Sequence, residues 1–401
     1  IEPTKEYATG ITVTSIKPEP VEISVKIILI GSSFYYDLLS AYDEEFHKCF
    51  KYRVLFDYEM PYNQKNSANF AAFIKQYARQ TGLLPFDFSA VAALLAYAMR
   101  LSESQQKLST RFGHLSELMT EASAWAEMDG KSEISAADIQ KAIDEKGKRV
   151  DLYEEKLSEM IDENIIMIDT DGAKTAQING LAVIETDGHI FAKPTRITAT
   201  TYIGKAGVVN IEKEAEMSGS IHDKGIEVLT GYLGQIYAQE FPLSLSCRIC
   251  FEQNYSGIDG DSASSTELYA VLSSLSETPI RQDIAVTGSI NQIGEIQAIG
   301  GVTYKIEGFF DLCKKRGLTG RQGVVIPAAN SAELNLKDDV IAAVKDGVFH
   351  IYTIQTIDEG IELLTGVPAG TKNDKGKYPP NSIHGMVYKK LKDFYRKSIA
   401  Q

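Results

Sequence analysis

The sequence predicts a multidomain protein of mixed α/β and α+β class, in which an incomplete α/β portion and a helical bundle precede a larger α+β domain. A continuous β-branched run at residues 25–30 is typical of a buried strand in an α/β sheet. From Ser67 to Ile143, apolar residues recur at helical spacing in four segments separated by short polar breaks. Between residues 165 and 370, strand-like and helical patterns alternate. A chain of 401 residues has room for these three parts.

Residues 1–62 make up the incomplete α/β portion. Strands are predicted at residues 13–16, 25–30 and 53–56, and a helix at residues 35–41. Two or three strands and one helix are too few for a complete doubly wound domain. We therefore expect the C-terminal part of such a domain.

Residues 63–150 make up the helical bundle, and residues 151–164 a connecting helix. The four helices are predicted to begin at or near Ser67, Asp87, Ser109 and Ser135, and Gly82 is expected to end the first of them. Short loops between amphipathic helices favour a small bundle.

Residues 165–370 make up the α+β domain, and residues 371–401 a basic tail with a helix from Gly385. The predicted strands lie at residues 165–168, 180–185, 196–203, 207–211, 243–251, 323–327 and 348–352, with a hairpin at 283–299 that turns near Gly294. The predicted helices lie at residues 221–240, 263–276, 302–316 and 357–364.

Composition and charge exclude several classes of function. No apolar run approaches the ~18 residues of a membrane span and no signal peptide opens the chain, so we expect no membrane partner and a cytoplasmic location. A net charge of −13 argues against nucleic-acid binding, with the lysine-rich tail as the exception. Because the chain begins at Ile1 rather than methionine, we expect it to be part of a longer protein.

The four cysteines fit a reducing compartment. Cys247 and Cys250 lie three apart on a predicted strand, so their side chains point to opposite faces and should not pair. No second cysteine pair and no His-Glu-x-x-His completes a metal site, so we expect no metal.

A glycine- and aspartate-rich turn, Gly-Ile-Asp-Gly-Asp at residues 257–261, places Ser262 at the start of a predicted helix. Backbone N–H groups and the positive end of the helix dipole point outward there, where they would stabilise an oxyanion. The alternative is that Ser262 is a plain helix N-terminal residue. Ser264 and Glu267 have the spacing of a capping box.

Lys305 lies on the apolar face of the helix at residues 302–316, between Phe309 and Leu312. It either extends to the edge of that face or is held in a desolvated pocket, where its pKa would fall. A neutral lysine can serve as the base for Ser262, which makes a Ser–Lys dyad a chemically consistent hypothesis. No histidine is placed to compete as the base, because His189, His222, His350 and His384 are isolated, with no obvious serine or acid partner.

These segments resemble the proteolytic domain of Lon proteases. The motifs are Gly260-Asp261-Ser262-Ala263-Ser264, Thr287-Gly288, Gly294-Glu295 and Ile299-Gly300-Gly301, followed by Lys305. The serine-to-lysine interval of 305 − 262 = 43 matches the family, and the Gly-Asp-Ser-Ala-Ser form is similar to its B-type branch. The likeness covers residues 165–370. Tyr304 stands where many relatives have glutamate.

The resemblance implies roles for five residues. Ser262 would attack the scissile carbonyl, Lys305 would take its proton, and Thr287 would help to orient the lysine. Gly260 would support the loop, and Asp261 would either cap the helix or block an inactive conformation.

Residues 1–62 and 63–150 are similar to the C-terminal part of an AAA+ α/β subdomain and its lid. Arg111, in Leu-Ser-Thr-Arg-Phe-Gly, resembles a sensor 2 arginine, and Arg53 occupies the place of an arginine finger. Arg111 as a solvated surface residue is the alternative. No Gly-x-x-x-x-Gly-Lys-Ser/Thr is present, so we expect no ATP hydrolysis and no cofactor for this chain, with ATP and Mg²⁺ required in the full-length protein.

Together the resemblances imply an ATP-dependent serine endopeptidase that cleaves unfolded or damaged proteins and assembles as a homo-oligomeric, hexameric ring. One alternative is a non-catalytic, ring-forming assembly or regulatory module with a vestigial peptidase site. Another is a regulator that binds nucleic acid through its basic tail.

Overall fold

A computed structural model describes residue 22 and residues 24–186 and 188–400. The chain divides into two compact units, with the boundary between Phe56 and Asp57, and each unit is described by itself. Throughout the described residues, no helix is long and apolar enough to span a lipid bilayer. The mixed α/β fold class predicted from the sequence is confirmed, although several individual strands are not.

In the first unit, the described residues form two helices, α1 (Ser33–Tyr42) and α2 (Phe46–Cys49). The predicted helix is confirmed, but the predicted strands at residues 25–30 and 53–56 are wrong. Both runs are exposed and without regular structure, because a strand needs a neighbour to bond and no other strand occurs among residues 24–56. The predicted strand at residues 13–16 lies outside the described residues.

The second unit begins with the bundle, here called the lid. Its elements are β1 (Glu59–Pro61), α3 (Gln64–Thr81), α4 (Phe88–Leu101), β2 (Lys107–Ser109), α5 (Phe112–Met128) and α6 (Ala136–Lys148). Asp87 caps α4 as predicted, its carboxylate accepting from the Ala90 N–H at 2.8 Å. The predicted start of α3 at Ser67 is wrong, because Asn63 caps the helix one turn earlier.

The connecting helix α7 (Leu152–Asp162) leads to a mixed seven-stranded sheet in the order β13-β12-β9-β4-β5-β7-β6. The strands of this domain are β3 (Ala173–Lys174), β4 (Gln177–Thr186), β5 (His189–Ile203), β6 (Gly207–Asn210), β7 (Leu245–Phe251), β8 (Ile280–Arg281), β9 (Ile284–Val286), β10 (Ser289–Ile290), β11 (Ile296–Gln297), β12 (Gly323–Pro327) and β13 (His350–Ile354). The β4–β5 and β5–β7 pairs are antiparallel, and the other neighbours are parallel. The hairpin predicted at residues 283–299 is shorter: β10 and β11 form it and it turns near Gly294, whereas residues 284–286 belong to β9 of the large sheet.

Helices cover both faces of this sheet. They are α8 (Ile211–Glu214), α9 (Ser220–Tyr237), α10 (Ser264–Ser276), α11 (Val302–Arg316), α12 (Asp338–Lys345), α13 (Ile357–Thr365) and α14 (Ile383–Ile399), with a 3-10 turn at Ala328–Glu333. The largest apolar cluster joins one face to α9, α10, α13 and α14, and a second joins the other face to α11 and α12. Helix α14, predicted as part of a tail, buries Val387 and Leu391 in the larger cluster.

The predicted strand at residues 165–168 is wrong. Ile166 and Ile168 are buried against α7, but the segment bonds to no strand. The Met167 N–H instead donates to the Gln253 side chain at 2.8 Å. Alternate residues of this segment are buried, which produces the sequence pattern of a strand, but the segment does not pair with another strand.

Gly308 lets α11 approach the sheet, and its replacement should destabilise the domain. A Cβ at Gly308 would lie 2.1 Å from the Ala192 carbonyl oxygen, a backbone atom of β5. We expect Gly308→Ala to lower the free energy of unfolding by about 1–3 kcal/mol, as overpacking does. Gly234→Ala on α9 is the control, because open space surrounds that position. Alanine there should raise the free energy of unfolding by about 0.5–1 kcal/mol. Urea unfolding of both variants measures this, and equal stabilities would contradict the packing argument.

Candidate active site

The loop at residues 257–262 is anchored to the start of α9. The Asp259 carboxylate accepts hydrogen bonds from the backbone N–H groups of Ile221 and His222, at 3.1 and 3.2 Å. A carboxylate at this position satisfies free helix N–H groups and stabilises the positive end of the dipole. Gly219 makes the approach possible, because a Cβ there would lie 2.3 Å from the Asp259 carboxyl carbon.

Ser262 lies just before α10, as the sequence predicted. Gly260 precedes it with φ 91°, a left-handed conformation that favours glycine. The Ser262 carbonyl accepts from the Gly288 N–H at 2.8 Å and from the Thr287 hydroxyl at 3.2 Å, which fixes the serine backbone. Within the described chain, the N–H groups of Ser262 and Ala263 have no acceptor, so two donors stand beside the hydroxyl.

Lys305 lies in the first turn of α11 and is only 3% exposed. The helix begins at Val302 as predicted, after Gly301 in a left-handed conformation with φ 68°. Phe309 and Leu312, on either side of the lysine, are also buried. Of the two alternatives that the sequence left open, the structure shows the desolvated lysine rather than one that extends to the edge.

The Lys305 amine lies between two hydroxyl groups. Its Nζ is 2.9 Å from Ser262 Oγ and 3.0 Å from Thr287 Oγ1. Since the Thr287 hydroxyl donates to the Ser262 carbonyl, its lone pairs are directed to the amine. The three side chains proposed from the sequence therefore form one hydrogen-bonded group, although they come from three separate segments.

Burial lowers the pKa of Lys305 from 10.5 to about 8, because an ammonium group is poorly solvated in this pocket. The charges of Asp261 and Glu103 oppose that shift. Both carboxylates come from other elements than α11, so the helical pattern around Lys305 could not reveal them. Glu103 belongs to the lid and is 198 positions from its hydrogen-bond partner Gly301, a separation that leaves no local signal in the sequence.

Asp261 begins α10 through its backbone. Its carbonyl accepts from the Ser264 N–H at 3.0 Å, and its carboxylate accepts from the Ser289 hydroxyl at 2.9 Å. The side chain therefore ties the 257–262 loop to β10 instead of capping the helix.

The predicted capping box of Ser264 and Glu267 is wrong. Ser264 Oγ accepts from the Ile290 N–H at 3.1 Å, and the fully buried Glu267 carboxylate makes no hydrogen bond to a described residue. His222 lies 3.5 Å from Glu267 and is also buried. Burial raises the pKa of Glu267 to about 8 and lowers that of His222, so both groups favour their neutral forms. His222 is thus a buried neighbour of the loop, which its isolation in the sequence concealed.

The dyad opens into a cleft of about 280 Å³. Its walls are the end of β4, the 257–262 loop and Lys193 of β5. Lys193 is half-buried, and desolvation lowers its pKa. Both Ser262 and Lys305 line this cleft.

Each of the two arginines proposed for nucleotide sensing contacts an aromatic ring of its own unit. Arg111 is exposed, with its guanidinium 5.6 Å from the centre of the Tyr58 ring. Arg53 belongs to the first unit, where it pairs with Asp37 at 3.2 Å and stacks on Tyr36. Neither contact involves the dyad.

Three family models match the chain. Residues 1–57 match a LonB-like AAA domain, and residues 85–149 match the AAA+ ATPase lid domain of archaeal LonB. Residues 173–365 match the C-terminal proteolytic domain of Lon proteases (S16), and this last match contains both Ser262 and Lys305.

Curated proteins with similar sequences are also named as Lon proteases or their homologues. A Lon protease homologue of Haemophilus influenzae is 32% identical over 382 residues, which cover 94% of this chain and 63% of the relative. One of Escherichia coli is 42% identical over 212 residues, or 52% of this chain and 36% of the relative. The archaeal Lon protease of Thermococcus kodakarensis is 26% identical over 352 residues, or 87% and 52%. The chain spans about one-third to two-thirds of the length of these relatives.

The matched segments follow one another in the order AAA, lid and proteolytic domain, and together they account for most of the chain. The Ser262–Lys305 contact lies inside the proteolytic segment. The chain therefore belongs to the Lon protease family and joins LonB-type AAA+ and lid segments to a Lon-type proteolytic domain.

Proposed function

We propose that this chain is a serine endopeptidase that cleaves unfolded or damaged proteins, with Ser262 as nucleophile and Lys305 as general base. The observation that carries the proposal is the distance of 2.9 Å between Lys305 Nζ and Ser262 Oγ at a lysine that is 3% exposed. Membership of the Lon protease family supports a peptidase. The four free cysteines fit a reducing compartment, and we place the activity in the cytoplasm.

In the acylation step, the neutral Lys305 amine accepts the proton of the Ser262 hydroxyl as Oγ bonds to the scissile carbonyl carbon. The carbonyl oxygen becomes an oxyanion and is stabilised by the free N–H groups of Ser262 and Ala263. Thr287 Oγ1, 3.0 Å from Nζ, holds the amine in line with the serine.

The tetrahedral intermediate then breaks its C–N bond. The Lys305 ammonium returns the proton to the leaving amine, and the substrate acyl group stays on Ser262. In deacylation, Lys305 takes a proton from water, whose oxygen attacks the ester carbonyl. When the C–O bond to Ser262 breaks, the proton passes from Lys305 to the serine oxygen and the free enzyme is restored.

The described residues do not fit a complete nucleotide site, so no step is assigned to ATP. Lys131, in Gly-Lys-Ser at residues 130–132, lies between the helices α5 and α6 and pairs with Asp138 at 2.5 Å. Lys174, which precedes Thr175, lies in a two-residue strand and pairs with Asp169 at 2.9 Å. A phosphate loop instead joins a strand to a helix and leaves its lysine free for phosphate. We propose that ATP dependence, with Mg²⁺, resides in the full-length protein, where Arg111 and Arg53 would sense nucleotide.

We expect no ATP hydrolysis from this chain, because its sequence contains no Gly-x-x-x-x-Gly-Lys-Ser/Thr motif to hold the triphosphate. Phosphate release from repurified protein is the measurement, and turnover that survives repurification would contradict the expectation.

We also propose assembly into a homo-oligomeric, hexameric ring. Light scattering measures this, and monomers over a wide concentration range would argue against assembly through these domains.

Cleavage of unfolded casein should rise with pH and reach half of its plateau near pH 8, as Lys305 loses its proton. A group with a lowered lysine pKa is charged below that value and neutral above it, so activity is lost on the acid side. Lys305→Met and Lys305→Arg should each reduce the rate by about 10²–10⁴-fold, since neither side chain can accept the proton.

Ser262→Ala controls for a contaminating protease and should abolish cleavage. Circular dichroism of each variant checks the fold, and methionine suits the apolar surroundings of Lys305. Substantial cleavage by Lys305→Met, or a rate independent of pH between 6 and about 9, would show that another group is the base.

A further inference from the structure

The lid holds the helix that carries the catalytic lysine. Both oxygens of Glu307 on α11 accept hydrogen bonds from the Arg100 guanidinium at the end of α4, at 2.7 and 2.6 Å. Arg100 also donates to the Asn335 carbonyl at 2.8 Å and lies 5.2 Å from the centre of the Tyr304 ring. Glu307 is almost completely buried, and a bidentate pair of this kind fixes both distance and orientation.

The turn after α4 directs Glu103 to the start of α11. Glu103 Oε2 accepts a hydrogen bond from the Gly301 N–H at 3.0 Å. Gly301 is the residue directly before the first turn of α11. A carboxylate at a helix N-terminus satisfies a free donor and stabilises the dipole. Lys305 belongs to this same first turn, and its own N–H donates to the Gly301 carbonyl at 3.1 Å.

The position of Glu103 is held by its neighbours. Its backbone has φ 48°, a left-handed conformation that is uncommon for a residue other than glycine. Two residues later, Gln105 donates its backbone N–H to the Ala332 carbonyl at 3.2 Å and its side-chain amide to the Leu334 carbonyl at 2.7 Å. Together with the bonds of Arg100, these bonds fix the lid turn to the proteolytic domain on both sides of Glu103.

Few charged groups act on the Lys305 amine. Asp261 of the 257–262 loop and Glu103 of the lid both favour the ammonium. Asp259 and Lys193 line the same cleft, but Asp259 is bonded to the start of α9. On α11 itself, Glu307 is paired with Arg100.

We propose that Glu103 of the lid is a positioning residue for Lys305, because it fixes the first turn of α11 and thereby the place of the amine beside Ser262. This inference rests on the proposed peptidase function. A movement of the lid turn would reach the first turn of α11 through the Glu103–Gly301 hydrogen bond.

Two substitutions separate the two effects of this carboxylate. Glu103→Gln keeps an oxygen that can accept from the Gly301 N–H but removes the negative charge. Glu103→Ala removes both. Glu59→Gln is the matched control, because Glu59 pairs with Lys107 at 2.6 Å on the lid and makes no hydrogen bond to a described residue of α11.

The experiment is the cleavage of unfolded casein by the whole chain across pH for the three variants. Glu103→Ala should lower the plateau rate about two- to fivefold, the size of effect that a helix-terminal charge and its hydrogen bond produce. Glu103→Gln should keep most of the plateau rate of the unmodified chain. Removal of the negative charge lowers the pKa of Lys305, so the midpoint of the pH profile should move to lower pH by roughly a few tenths of a unit in both variants. Glu59→Gln should match the unmodified chain.

Unchanged rates and midpoints in both Glu103 variants would overturn the inference. Equal losses of rate in both variants with an unmoved midpoint would also overturn it, since a purely structural defect has that signature. Failure of the unmodified chain to cleave casein would overturn the proposed function and this inference with it. If the unmodified chain cleaves casein and both Glu103 variants match it in rate and midpoint, the inference alone is overturned.

Discussion

Burial of one ammonium group is the constraint on which this site depends. A fall in the pKa of Lys305 from 10.5 to about 8 corresponds to about 3 kcal/mol that the fold must offset when the lysine is charged. The unfolded chain keeps that proton to higher pH, so the free energy of unfolding should rise between about pH 8 and 10.5. The buried face of α11 offsets the cost, with Val302, Ile306 and Phe309 packed beneath the sheet.

In the proposed mechanism, the same burial lets Lys305 act as a base near neutral pH, and two nearby negative charges limit how far its pKa falls. Desolvation alone would favour the neutral amine, whereas Asp261 and Glu103 each stabilise the ammonium. The site therefore has a lysine that can both accept and return a proton. One of the two carboxylates comes from the lid, so the proteolytic domain alone does not set the pKa of Lys305.

Much of this site could be predicted from the sequence, because its signals are local. Gly301, the apolar spacing around Lys305 and the glycines before Ser262 each depend on a few neighbouring residues, and the structure has α11 and α10 within one residue of the predicted bounds. The approach of Ser262, Lys305 and Thr287 followed from the family resemblance instead. No local pattern joins residues that lie 43 and 18 positions apart.

The predictions that were wrong depended on partners that a local pattern does not include. Residues 25–30 have the composition of a buried strand, but no described residue of their unit offers a strand to pair with. Glu267 has the spacing of a cap, yet the helix enters the core and buries the carboxylate beside His222. Glu103 gave no signal, since its role depends on how the lid docks.

The most direct test of the account is the rate at which a fluorophosphonate probe modifies Ser262 as a function of pH, with the modified residue mapped by mass spectrometry. This rate reports the nucleophile and its base without depending on substrate unfolding or nucleotide. The account predicts modification at Ser262 that rises with pH to half of its maximum near pH 8 and is abolished in Lys305→Met. Modification of Ser262 that is independent of pH, or that persists undiminished in Lys305→Met, would contradict the assignment of Lys305 as the base.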